Sequence, residues 1–183
     1  MTLTKTPICD FGKKAEYFKL KSTNKNILSL DDIKGEKGTL IMFICNHCPY
    51  VKAVIEDIVN DCNFLKQIGI NSAAICSNDV INYPEDSFDK MIEFSKLNGF
   101  NFPYLHDEDQ EIAKKYDAVC TPDFFGFNSN LELQYRGRIR ELKELKAVRL
   151  GESDLMTAMK VISETGEGPK QQIASMGCNI KWK

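Results

Sequence analysis

The run Thr39-Leu40-Ile41-Met42-Phe43-Ile44-Cys45 is almost continuously apolar. Such a run predicts a strand covered on both faces of a sheet. From Pro49 the spacing changes to threes and fours, with Val51, Val54, Ile55, Ile58, Val59, Cys62, Leu65 and Ile68 on one stripe. That period predicts a helix buried along one side and closed at Gly69. Residues 70–76 read as the next strand, 87–97 as a helix, 102–105 as a short extended piece and 109–116 as another short helix.

Two further patterns complete the order. Residues 17–21 and 26–30, around the polar Ser22-Thr23-Asn24-Lys25, predict a small hairpin ahead of the main sheet; residues 124–127 and 131–136, around Asn128-Ser129-Asn130, predict a second hairpin. Ser153 caps a terminal helix over 153–163, and residues 167–183 form a tail that is polar until Ile180 and Trp182. Strand, helix, strand, helix, antiparallel hairpin and final helix predict an α/β fold, a three-layer α/β/α sandwich with a mixed central sheet and an N-terminal β-hairpin extension. The absence of repeats, low-complexity tracts and Gly/Ser linkers leaves residues 1–183 as one domain.

Composition narrows the function. The chain has 183 residues, 43% hydrophobic and 27% charged, and a net charge of −2 with lysines scattered among acids. It offers no basic stripe for a phosphate backbone, so no nucleic acid is expected as partner. No apolar run approaches the ~18 residues of a membrane span and no apolar leader opens the chain, so no membrane association and a cytoplasmic location are expected. Seven cysteines is an odd number; with no leader they do not read as a disulfide framework.

The chemistry concentrates in Cys45-Asn46-His47-Cys48-Pro49, at the junction between the apolar strand and the long helix. Unpaired N–H groups and the helix dipole stabilise a thiolate at a helix N-terminus. Two cysteines separated by two residues there can close into a disulfide reversibly. On this reading Cys45 is exposed and attacks a disulfide, Cys48 lies one turn deeper and resolves the mixed disulfide, and His47 lowers the Cys45 pKa. A zinc site needs two more ligands, few of which remain, and no second Cys-x-x-Cys exists. A haem signature needs His after the second cysteine, where Pro49 stands. No cofactor and no metal are expected.

A second feature is Val119-Cys120-Thr121-Pro122-Asp123-Phe124-Phe125, with a proline opening a strand. Together with the dithiol it resembles the thioredoxin fold, which implies that Pro122 is a cis-proline packed against the dithiol and in contact with substrate. Phe43-Ile44-Cys45-Asn46-His47-Cys48-Pro49-Tyr50-Val51-Lys52, Thr121-Pro122-Asp123-Phe124-Phe125 and Gly177-Cys178-Asn179-Ile180-Lys181-Trp182-Lys183 are similar to a peroxiredoxin-like branch of that fold, within the alkyl hydroperoxide reductase/thiol-specific antioxidant group. In peroxiredoxins the peroxidatic cysteine follows Pro-x-x-x-Thr-x-x. With Cys48 in the peroxidatic place, Cys45 stands at the threonine and Ile41 at the proline. The sequence therefore resembles peroxiredoxins in scaffold and thioredoxins in chemistry.

The expected activity is thiol-disulfide exchange, with protein disulfides or small oxidants as substrates and a cellular thiol as reductant. A thiol peroxidase using Cys48 is the alternative, and a zinc-holding or redox-switch binding module a third. By the resemblance Cys120 lies near the dithiol, as an extra resolving thiol or a small residue beside the cleft. Cys178 is read as an accessory thiol if the tail folds back, or as a small residue in a segment anchored by Trp182. Cys62 and Cys76 read as buried and inert, and Cys9 as part of a flexible start. His106 reads as a loop residue capping a turn. Arg136, Arg138 and Arg140 read as a solvated strand face, and Asn78 and Asp79 as a turn or a site edge.

Overall fold

The computed structural model describes residues 3–183. Its elements, in chain order, are β1 (Leu3–Lys5), β2 (Lys19–Ser22), β3 (Ile27–Ser29), α1 (Leu30–Ile33), β4 (Gly38–Phe43), α2 (Pro49–Gln67), β5 (Ile70–Cys76), a 3-10 turn (Pro84–Asp86), α3 (Phe88–Leu97), β6 (Tyr104–His106), α4 (Glu111–Lys115), β7 (Cys120–Thr121), β8 (Asp123–Asn128), β9 (Leu133–Tyr135), β10 (Leu142–Lys143), β11 (Lys146–Ala147), α5 (Asp154–Thr165) and β12 (Met176–Asn179).

β4 is the axis of the molecule. It pairs in parallel with β5, Gly38 opposite Ile70 through Phe43 opposite Ile75, and antiparallel with β8, Gly38 opposite Asn128 through Phe43 opposite Asp123. All six of its residues are buried. The alternation of a strand then divides the core. Leu40, Met42 and Ile44 pack with the stripe of α2 and with Leu155, Met159 and Ile162 of α5, while Ile41 and Phe43 pack with Ile33 of α1 and Ile112 and Ala113 of α4. The main sheet is mixed, in the order β3-β2-β6-β5-β4-β8-β9, with helices on both faces. This is the expected three-layer sandwich.

The long helix begins and ends for the reasons its sequence suggests. Pro49 is its first residue, where a missing N–H costs nothing. Gly69 follows its last turn at φ +87°, a conformation that a Cβ disfavours. Ser153 caps α5, its side chain accepting from Met156 N at 2.8 Å while its hydroxyl donates to the buried Asp61.

The expected N-terminal hairpin is present as β2 and β3, and through the pairing of β2 with β6 it is an edge of the main sheet. Several expectations are corrected. His106 lies in β6, half-buried against the ring of Phe88, and it is Asp107 that caps α4 by accepting from Ile112 N and Ala113 N. Arg136, Arg138 and Arg140 are no solvated strand face. Arg136 is buried on Asp123 at 3.0 Å, Arg140 pairs with Asp57 at 3.0 Å, and Arg138 pairs with Asp154 at 2.6 Å. Residues 3–5, in the start read as flexible, form a strand, and Cys9 is half-buried.

The largest correction concerns the tail. β12 is the middle strand of a small second sheet, β1-β12-β7, that lays the C-terminus over the junction of β4 and α2. Trp182 does not anchor it, being 43% exposed; Cys178 and Ile180 are buried. β12 approaches β7 so closely at Gly177 that an added Cβ stands 2.1 Å from the Thr121 carbonyl oxygen. That oxygen belongs to backbone and cannot give way as a flexible side chain does.

Gly177→Ala is therefore expected to lower stability by about 1 to 3 kcal/mol, as overpacking of a closed site does. Urea unfolding checks this; an unchanged midpoint would mean that the small sheet yields without cost.

Candidate functional site

The chain leaves the main sheet at Cys45. Ile44 N still donates to Ile75 O at 3.0 Å, and four residues later Cys48 is the N-cap of α2. Between them the backbone turns around one carboxylate. Asp86 Oδ1 accepts from Asn46 N at 2.8 Å and His47 N at 3.3 Å, and Oδ2 lies 2.7 Å from both His47 Nδ1 and Asn78 Nδ2. Asn46 in turn donates to Glu85 O at 2.9 Å and accepts from Tyr104 Oη at 3.0 Å. The His47 ring stacks on Tyr83, with centroids 5.6 Å apart.

The two sulfurs meet β7 and β12 on the other side. The Thr121–Pro122 peptide bond is cis. Cys45 Sγ lies 3.3 Å from Thr121 Oγ1, and Cys48 Sγ lies 3.1 Å from Thr121 O and 3.1 Å from Cys178 Sγ. Cys120 sits on the same strand but turns its sulfur to Pro122 O at 3.6 Å. All seven cysteines are thiols in this structure.

This geometry alters three of the sequence readings. Cys45 is not left exposed: it is 1% exposed, and Cys48 is 0%. His47 makes its hydrogen bond to Asp86, whose charge counts against a Cys45 thiolate. The amides of residues 46 and 47, which precede the helix, are given to Asp86 rather than to sulfur. The sulfur at the helix N-terminus is that of Cys48.

Acidity follows the contacts. The Cys48 thiol is pushed down to about 5, chiefly because Cys45 donates to it, with Cys178 and the Val51 N–H adding to this against the cost of burial. Cys45 is pushed well up because it is the donor to Cys48, because it is buried, and because Asp86 faces it. The Cys48 thiol donates to Thr121 O at 3.1 Å and lies 3.1 Å from Cys178 Sγ. Burial pushes Cys62 and Cys76 up to about 12 and Cys120 higher still.

Cys45 Sγ, a ring nitrogen of His47 and an oxygen of Asp86 lie within 4.8 Å of one another, a spacing that could admit a metal ion. Both Asp86 oxygens already accept two hydrogen bonds each, and a closed zinc site takes four ligands. The Asp86 carboxylate is satisfied by hydrogen bonds, while His47 Nε2 is buried without a partner.

Sequence reasoning did not find Asp86, Tyr104 or Thr121. Asp86 lies in Pro84-Glu85-Asp86, which reads as an acidic lead-in to a helix; only the fold brings it under a turn 40 residues earlier. Asn78, read as a turn or site edge, belongs to the network through its amide.

A dithiol at the end of a central strand, opposed by a cis-proline on the neighbouring strand, defines a thioredoxin-fold protein of the thiol-redox class. Residues 11–141 match the AhpC/TSA family, and the chain belongs to that family. It is similar to the thiol-disulfide oxidoreductase ResA of Bacillus subtilis (strain 168), 29% identical over 117 residues, which are 64% of this chain and 61% of ResA. The chain thus spans about three fifths of that curated relative. A crystal structure of an uncharacterised conserved protein from Geobacillus kaustophilus superposes with a TM-score of 0.94 at 39% identity, covering 100% of this chain and 97% of that one. The thioredoxin domain of a thiol-disulfide oxidoreductase from Bacteroides vulgatus shares the fold at a TM-score of 0.59 and 14% identity, over 69% of this chain and 86% of that one.

The His47–Asp86 pair sets a pH dependence. Its hydrogen bond to Asp86 raises the His47 pKa above the ordinary 6.5, and Asp86 is held below the usual carboxylate range against the cost of burial by its bonds to His47 and Asn78. A raised histidine contributes stability that is complete below pH 6.5 and is lost as pH rises through the folded value. The stability gap between the protein and His47→Gln should therefore be widest near pH 6 and shrink toward pH 9. Thermal melts across that range check it; a gap that widens with pH would deny the pair its charge.

Proposed function

We propose that this protein is a thiol-disulfide oxidoreductase in which Cys45 and Cys48 cycle between dithiol and disulfide. The observation that carries this is the placement of Cys48 at the N-cap of α2, its sulfur within hydrogen-bond reach of Thr121 O beside cis-Pro122. The Cys48 thiolate attacks a substrate disulfide, and the resulting mixed disulfide is resolved by a neighbouring thiol. This reverses the order that spacing alone suggests, because the stabilising donors converge on Cys48.

The face on which substrate arrives is a cavity of about 500 Å³ whose lining includes Tyr50, Val54, Pro122, Arg138, Ile139 and Met176. It is apolar along Val54 and Ile139 and reaches Pro122, so a polypeptide can lie along the loop beside the dithiol. Electrons come from a cellular thiol reductant and pass to a protein disulfide or a small oxidant. His47 acts through Asp86 as a positioning residue for the turn.

A peroxidase is the second reading, favoured by the low pKa of Cys48, since a thiolate is what peroxide oxidises. Against it, Cys45 occupies the place of the peroxide-activating threonine in peroxiredoxins. The Thr121 hydroxyl is the group that could stand in, yet it lies on Cys45 Sγ.

Stopped-flow reaction of the reduced protein with a model protein disulfide and with hydrogen peroxide separates the two readings. Disulfide is expected to react faster. Cys48→Ser should slow that reaction by at least about a hundredfold, and Cys45→Ser by less. A faster reaction with peroxide would establish the peroxidase. If Cys45→Ser is the inactive variant, Cys45 is the attacking thiol.

A further inference from the structure

A third sulfur belongs to the dithiol. We propose that Cys178 is a redox-active partner of Cys48, so that the oxidised protein holds a Cys48–Cys178 disulfide as an alternative to Cys45–Cys48. The inference deepens the oxidoreductase reading and rests on it.

The geometry that carries it is the 3.1 Å between Cys48 Sγ and Cys178 Sγ, across 130 residues of chain. A disulfide bond is about 2.05 Å long, so closure needs roughly 1 Å of approach. Of the other buried cysteines, Cys120 turns its sulfur to a carbonyl, Cys62 lies on the apolar stripe of α2, and Cys76 ends β5 among core side chains.

The tail is fixed on both sides of Cys178. Upstream, Ser175 Oγ donates to Pro122 O at 2.8 Å, and Thr6 N donates to Ser175 O at 3.0 Å. Downstream, Lys181 N donates to Asn78 Oδ1 at 2.9 Å, and Gln110 Nε2 donates to Lys181 O at 2.7 Å. Asn78 also donates to Asp86, so the anchor of the tail and the turn of the dithiol share one residue. In register, Cys178 stands opposite Thr121, whose carbonyl oxygen meets Cys48. The missing Cβ of Gly177 lets β12 come this close.

The chemistry balances without a further oxidant. With a substrate disulfide RS–SR′, the Cys48 thiolate forms Cys48–SR, and R′S⁻ leaves and takes a proton from solvent. Cys178 then attacks Cys48 Sγ; the Cys48–SR bond breaks, and RS⁻ leaves with the proton that Cys178 gives up. Cys178 and Cys48 are oxidised together, and the substrate disulfide is reduced to two thiols. Cys45 performs the same second step from the other partner position, so Cys48 is the sulfur common to both disulfides. A Cys48–Cys178 bond ties the C-terminal strand to the start of α2, which the Cys45–Cys48 bond does not.

Cys45→Ser and Cys45→Ser/Cys178→Ser variants, each oxidised with glutathione disulfide, quenched by alkylation and mapped without reduction, test this. Cys45→Ser is expected to lose its glutathione adduct and yield a peptide pair joined through Cys48 and Cys178. The double variant should keep the adduct on Cys48 at least about tenfold longer. A lasting Cys48–glutathione adduct in Cys45→Ser, with Cys178 alkylated, would overturn the proposal. An absence of any adduct at Cys48 in the double variant would instead overturn the oxidoreductase reading, and the proposal with it. Cys178→Ala in the same background repeats the comparison without a hydroxyl.

Discussion

The turn that carries the dithiol depends on the Asp86 carboxylate. A buried carboxylate without partners is strongly unfavourable, and Asp86 is fully buried. Two backbone amides, one side-chain amide and one imidazole surround it, and three of these four donors belong to Asn46 and His47. The electrostatic requirement of one side chain thereby fixes the backbone between β4 and α2. Removing Asp86 would leave both amides without acceptors in a closed site, where each unsatisfied group costs about 1 to 3 kcal/mol. The same carboxylate disfavours charge on Cys45, so the device that shapes the turn also directs the thiolate to Cys48.

Much of the fold is legible in the sequence because the main sheet is built from local patterns. The continuous run before Cys45 and the period of the following helix report their own burial, and β5 and α3 lie where residues 70–76 and 87–97 place them, within a residue. The small sheet is illegible for a physical reason. β1, β7 and β12 have 3, 2 and 4 residues and carry too little alternation to register as strands. They owe their existence to tertiary packing: a glycine that permits close approach and a few hydrogen bonds between distant segments.

The site divides along the same line. Cys45, His47, Cys48 and Pro122 are visible because they lie in short distinctive strings. Asp86 and Tyr104 are not, and the string that shows Pro122 does not show what Thr121 beside it touches, since these contributions are contacts across tens of residues. Spacing brought the two cysteines together but carried no information on which sulfur the donors face. The cysteine at the helix N-terminus is Cys48, which caps α2, rather than Cys45, which follows the strand.

Both sulfurs are buried, so the exchange proposed above would require local opening, and the hydrogen bonds indicate where. The side of the turn facing Asp86 is closed by the carboxylate, by Asn46 and by the stack of His47 on Tyr83. The opposite side is closed by a two-pair register between β7 and β12 and by Ser175. Short ladders of this kind open at low cost compared with a core strand such as β4, which pairs along its whole length with two neighbours. The cavity also adjoins this side, at Pro122, Ser175 and Met176. Displacement of β12 would open Cys48 to the cavity while leaving the hydrogen bonds of Asn46 and His47 to Asp86 in place, at the cost of the Cys178 contact that helps to hold the Cys48 pKa down.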